Sequence, residues 1–160
     1  MGIRGFFIGV LWLWTIGAQA ASYYPTTPNP ETTPGSACER PDSYRYPEKI
    51  AYCERHVSKS MKWQVIRNYN QKLGYRIEDG DRGQFKIDHF FPLCAGGSNS
   101  FDNLWPQHRT VYEVTDPLEG LMCEKMARGR LRQQEALELI RRAKMDLSQV
   151  PAVYQYLNSL

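Results

Sequence analysis

The chain has 160 residues, 42% of them hydrophobic, with 20 Lys+Arg against 17 Asp+Glu. That length suits one compact domain and leaves little room for two. A formal charge of only +3 excludes a histone-like or polybasic chain, so an anionic partner has to be held by a local patch. No apolar run approaches the roughly 18 residues of a spanning helix.

The first element is a targeting segment. Arg4 supplies a short basic start, Phe6 to Ile16 form an apolar core, and Ala18-Gln19-Ala20 reads as an A-x-A cleavage site. Residues 1–20 are therefore expected to be a signal peptide, and the product to be secreted or periplasmic, without stable membrane association after cleavage. Residues 21–37 are rich in Pro and Thr and read as an extended, poorly packed linker. Cys38, Cys53, Cys94 and Cys123 contain no C-x-x-C spacing, which argues against a zinc ribbon or a thioredoxin-like motif. In an oxidising compartment they are expected to form two structural disulfides. Local loop closure favours Cys38–Cys53 with Cys94–Cys123, although spacing alone leaves three pairings open.

Further along, Pro47 suits a first helical turn, and Ile50, Cys53 and Val57 recur at helical spacing, predicting a helix over 47–57. Ser60 is a candidate N-cap for a second helix that Gly74 ends. Phe85 to Leu93 reads as a strand broken by Pro92, and Phe101 to Trp105 as a second short strand after a Gly96-Gly97-Ser98-Asn99 turn. Helices are expected over 109–128, with a fresh start or kink at Asp116-Pro117, and over 131–145. Helices, then a two-strand hairpin, then helices predict a small α+β domain with no internal repeat.

The densest polar stretch is Asp88-His89, set among Phe85, Ile87, Phe90 and Phe91, with Asn103 fourteen residues after His89. Strand alternation would send Asp88 and His89 to opposite faces unless the strand bends there, and Pro92 with the Gly-Gly turn makes a bend reasonable. The runs Ile87-Asp88-His89-Phe90-Phe91-Pro92-Leu93, Gly96-Gly97-Ser98-Asn99 and Asn103-Leu104-Trp105-Pro106-Gln107 resemble the signature of HNH endonucleases, the His-Me finger or ββα-metal nucleases. Asp116-Pro117-Leu118-Glu119, Gly129 and Glu135-Ala136 extend the likeness to exported bacterial members, over about residues 85–143.

The resemblance implies a mainly helical, disulfide-stabilised α+β domain over 38–160, with a ββα-metal hairpin–helix core at about 85–128. It implies a metal-dependent endonuclease hydrolysing phosphodiester bonds of DNA, with RNA left open. His89 stands where the family has its general base, Asp88 at a metal-ligand position, and Asn103 at the position that braces the hairpin. The third motif position departs from the family pattern: the usual spacing falls near Tyr112 and Glu113. Glu113 is thus the favoured remaining ligand and His108 the alternative, with Asp116 left open. Glu119 reads as a helix salt-bridge partner. Oxygen ligands make Mg²⁺ the first choice for one divalent ion, with Mn²⁺ and Zn²⁺ open. Arg109, Arg128 and Arg130 form a candidate phosphate-tracking patch, and nothing resembles a base-reading helix, so low sequence specificity is expected. Protein partners are not legible. The alternative reading is a secreted, non-catalytic nucleic-acid-binding module on the same scaffold.

Overall fold

The structure is a computed structural model that describes residues 23–160. The signal peptide expected at 1–20 lies outside the described residues. The chain forms two short antiparallel hairpins and four α-helices, an α+β arrangement: β1 (Ser43–Arg45), β2 (Ile50–Tyr52), α1 (Lys59–Leu73), β3 (Phe85–His89), β4 (Leu104–His108), α2 (Arg109–Ala127), α3 (Gln133–Met145) and α4 (Val150–Ser159). Disulfides join Cys38 to Cys53 and Cys94 to Cys123, the pairing that local closure favoured. Among the described residues no helix is long and apolar enough to cross a membrane.

The β3–β4 hairpin is the centre of the molecule. Its register runs from Phe85↔His108 at one end to His89↔Leu104 at the other. Ile87, Leu104 and Trp105 are buried in one continuous core with Val65, Ile66 and Tyr69 of α1 and Leu118, Met122 and Met126 of α2. Burial of this apolar surface supplies the main driving force at roughly 25 cal/mol per Å². The Ser58 side chain accepts from Met61 N and so caps α1, two residues before the expected Ser60, and Gly74 ends the helix at φ 74°. α2 runs through Pro117 as one helix, because Leu118, Met122 and Met126 anchor the turns that follow. The missing proline N–H costs one intrahelical bond there.

Four further expectations need correction. The second strand is Leu104–His108 and not Phe101–Trp105, because Phe101–Asn103 form a helical turn before it. The segment 47–57 is not a helix. Tyr46 and Lys49 take positive φ values of 65° and 55° and close a loop that pairs β1 with β2. Pro47 serves a turn as well as it serves a first helical turn, and the Cys38–Cys53 bond lies at the exit of β2. The Pro/Thr-rich segment is no loose tether from Tyr23 onward. Thr33 is fully buried, with its hydroxyl bonded to Tyr69 Oη at 2.8 Å and donating to Leu104 O at 3.1 Å. Ala37 bridges to Gly97, and Gly35 N donates to Asp102 O. A proline-rich segment needs few backbone partners of its own, so it can lie along a hairpin without a ladder. Finally, α4 follows α3 where no helix was expected. It buries Val150, Val153 and Leu157, an i, i+3, i+7 stripe.

The disulfides close loops with sequence separations of 15 and 29 residues. Removing either one, as Cys38→Ala/Cys53→Ala or Cys94→Ala/Cys123→Ala, is expected to cost about 3–4 kcal/mol. Urea unfolding of the double variants measures it, and unchanged midpoints would refute the loop-closure account.

Candidate active site

A cleft of about 370 Å³ opens where the end of β3 meets the middle of α2. Arg55, Lys86, Asp88, His89, Asp116 and Glu119 line it. Asp88 and His89 are consecutive in the strand, yet both face this cleft and both are buried. His89 is the last residue of β3, so the alternation that would separate the two side chains ends there.

Asn103 makes that bend. It is fully buried, and its Nδ2 donates to Phe91 O at 3.0 Å and Ser98 O at 2.9 Å. Its Oδ1 accepts from Phe91 N at 2.8 Å, and its backbone carbonyl accepts from Phe90 N at 2.7 Å. One side chain thus ties the chain leaving β3 to the chain entering β4. The glycine pair makes room for this. Gly96 is left-handed at φ 85°, and a Cβ on Gly97 would collide with the Phe91 carbonyl and press on Asn103 Nδ2 at 3.0 Å. Gly97→Ala is therefore expected to destabilise the fold by at least about 2 kcal/mol. An unchanged melting temperature in that variant would contradict it.

His89 is held from both ring nitrogens. Arg55 Nη1 lies 3.1 Å from Nδ1, and Asn99 Oδ1 lies 3.1 Å from Nε2. A guanidinium only donates, so Nδ1 accepts and the ring proton sits on Nε2, donated to Asn99. Asn99 itself is oriented by donating to Glu54 O at 2.6 Å and accepting from His56 N at 3.1 Å. Burial is the main force lowering the His89 pKa to about 4; the nearby Arg55 charge adds to it, against the opposing Asn99 bond and Asp88 charge. The imidazole is neutral at pH 7. Since its folded pKa is below the ordinary 6.5, its stability contribution is complete above pH 6.5 and is lost as the pH falls towards 4. In metal-free buffer the loss should reach about 3 kcal/mol. Urea unfolding at pH 7.5 and 4.5 tests this against His89→Gln, which should lose less; equal losses would show that His89 is not responsible.

The carboxylates form the second half of the site. Oxygens of Asp88, Asp116 and Glu119 lie within 4.8 Å of one another. Two ammonium groups stand among them. Lys144, from α3, is fully buried; its Nζ is 2.6 Å from Glu119 Oε1 and 3.4 Å from Asp88 Oδ2, and it donates to His89 O at 2.5 Å. Lys86 Nζ donates to Asp116 at 2.6 and 2.7 Å and lies 3.6 Å from Asp88. Burial works to raise the Asp88 pKa, but Lys144 and Lys86 outweigh it and hold Asp88 ionised. Burial pushes Glu119 up to about 7; the Asp88 charge adds to this and Lys144 opposes it. For Lys144 the two carboxylates outweigh burial and keep it protonated.

An all-oxygen donor set at this spacing fits a hard divalent cation. Lys86 is partly exposed and can swing out of its way, whereas Lys144 is enclosed and stays.

Not every expected residue comes to the cleft. Glu113 is exposed and bonded by Arg109 Nε at 2.6 Å. His108 caps α2 and stacks on Tyr24 with ring centroids 3.8 Å apart. It stands four residues along β4 from the partner of His89, about 13 Å away at strand rise. Neither lines the cleft with Asp88; Asp116 and Glu119 do, one and two helical turns further on. Arg128 pairs with Glu124 at 3.0 Å, and Arg130 Nη1 donates to Leu160 O at 2.6 Å, so the three arginines form no patch at the cleft. The cations that line it are Arg55 and Lys86, with Lys144 buried behind its carboxylates, and none of the three was singled out by sequence. Glu119 is a salt-bridge partner, as expected, but its partner lies on another helix. Compared with known proteins, the chain matches no family model, no curated protein and no solved structure.

Proposed function

We propose that the chain is an exported, metal-dependent endonuclease of the HNH type that hydrolyses phosphodiester bonds of DNA, with RNA as a second substrate class, without sequence specificity. The observation that carries this reading is the neutral His89 imidazole beside three carboxylates in one open cleft. Binding a nucleic acid needs cations; it does not need a histidine with an oriented lone pair next to an acidic cluster. The hairpin β3–β4 followed by α2 is the ββα unit of this reading. Two disulfides agree with an oxidising compartment.

In this mechanism Asp88, Asp116 and Glu119 would hold one divalent ion, Mg²⁺ by preference. When bound, that ion supplies charge neutralisation at the scissile phosphate and at the leaving oxygen. His89 takes the proton of the attacking water at Nδ1, since Nε2 already carries its own. Asn99 keeps the ring in that tautomer, and Asn103 keeps the strand end in place. Lys144 stays under the carboxylates and limits their mutual repulsion.

Plasmid nicking by the purified oxidised protein, with Mg²⁺, Mn²⁺, Zn²⁺ and EDTA compared, tests the reading. Cleavage that requires a divalent ion is expected, and Glu119→Gln should lose it while Glu113→Gln keeps it within about twofold. A folded protein that cuts neither DNA nor RNA with any of these ions would refute it. One observation favours the binding-module alternative: Lys86 and Lys144 already neutralise much of the acidic cluster. That alternative predicts retention of DNA in EDTA with no cleavage product.

A further inference from the structure

Arg55 lies between β2 and α1, two residues after the Cys38–Cys53 disulfide. Its backbone is pinned by that bond and by Asn99, which contacts both Glu54 O and His56 N. Its guanidinium is differently placed. Nη2 donates to Ile87 O at 2.8 Å and Nη1 to His89 Nδ1 at 3.1 Å. Neither partner is an anion, and among the described residues no carboxylate lies within ion-pair distance of Arg55. Lys86, which also lines the cleft, and Lys144, buried behind it, are each held by two carboxylates. A guanidinium is a planar fork of five donors suited to two oxygens of one anion. One carbonyl and one ring nitrogen leave most of that capacity unused, at the mouth of a cleft.

The seat it occupies has a consequence. With the proton of His89 on Nε2, Nδ1 carries the ring's one lone pair, and Arg55 covers it.

We propose that Arg55 is a phosphate-binding residue of this cleft, and that its resting seat on His89 makes arrival of a phosphodiester the event that uncovers the base. The phosphate contact stands on Arg55 alone; its bearing on the base rests on the nuclease reading. Two non-bridging oxygens offer the fork a bidentate, charge-assisted pair, which is stronger than its bonds to neutral acceptors. The guanidinium turns to the phosphate, Nδ1 opens to water, and the backbone does not have to move. An idle cleft holding only a metal ion keeps its base covered.

The test uses ¹⁵N-labelled full-length protein in EDTA, with thymidine 3′,5′-bisphosphate as the probe. Its affinity is measured by calorimetry, and the His89 Nδ1 resonance is followed by long-range ¹⁵N–¹H correlation. Wild type is expected to bind, and its Nδ1 resonance to move at saturation to the position it has in ligand-free Arg55→Ala. Arg55→Ala should bind at least tenfold more weakly, and Arg55→Lys, which keeps the charge and loses the fork, should fall between. No binding to wild type, equal binding to wild type and Arg55→Ala, or binding that leaves Nδ1 unmoved each overturns the proposal. The nicking assay separates this from the nuclease reading. Arg55-dependent bisphosphate binding without cleavage keeps the phosphate site and removes the nuclease, and cleavage unaffected by Arg55→Ala does the reverse.

Discussion

His89→Ala is expected to lower the rate of phosphodiester cleavage by about 10³-fold, within the 10² to 10⁴ that a positioned general base contributes. The substitution removes the group that takes the proton and leaves the acidic cluster on its strand and helix. Metal affinity should therefore change little while kcat collapses. Because His89 is buried, the variant must first be shown to unfold cooperatively. Added imidazole offers an independent readout, since it can enter the vacated space and restore part of the rate. Cleavage by His89→Ala within tenfold of wild type would remove His89 from the mechanism.

The largest stability effect is expected at Lys144. Lys144→Met keeps the volume and apolar stem but deletes the ammonium that serves Glu119, Asp88 and the His89 carbonyl. Breaking a buried ion pair from one side typically costs about 3–5 kcal/mol, because the remaining charge stays buried without a partner. Here two carboxylates are left. Glu119 can relieve part of the cost by taking up a proton, being pushed up to about 7 already. Asp88, held ionised by the lysines, cannot do so as easily. Lys144→Met should thus be least stable in alkaline buffer and recover in mild acid. Adding Asp88→Asn and Glu119→Gln should return most of the loss, though not the activity. Urea unfolding within about 1 kcal/mol of wild type at pH 8 would show that the ammonium does not hold this cluster together.

The legible part of the molecule was the part written in local patterns. The helix over Lys59–Leu73 follows from its apolar spacing and its terminal glycine, and the β3–β4 hairpin from two apolar runs around a glycine turn. Asp88, His89 and Asn103 are close in sequence, so the motif that marks them also places them. The β1–β2 hairpin was hidden because Pro47 and three apolar positions satisfy a helix and a turn equally. Its decision came from a cross-link and two left-handed residues, which have no local signature. Glu113 was favoured by distance along the chain from Asn103, but the helical phase of α2 turns Asp116 and Glu119 towards the strand end instead. Arg55 and Lys144 stand 34 and 55 residues from the His89 atoms they contact. No spacing rule connects such positions. An arginine after a disulfide and a lysine in an amphipathic helix look like ordinary surface residues until the fold is closed. Lys144 could have been suspected only from its place among Ile140 and Ala143 on the buried side of α3.

The position of Lys144 also bears on the order in which the molecule is made. The acidic and imidazole groups are synthesised well before the cation that lies beneath them, which arrives 56 residues after Asp88. A chain emerging N-terminus first exposes β3, β4 and α2 while α3 is still behind it. During that interval Asp88 has only Lys86 beside it, Glu119 lacks its ammonium partner, and the strand end lacks its floor. Asp88, His89 and Glu119 can settle into their final geometry only after α3 has docked. Chains truncated before α3 should therefore retain the whole apparent motif and yet be inert and readily proteolysed.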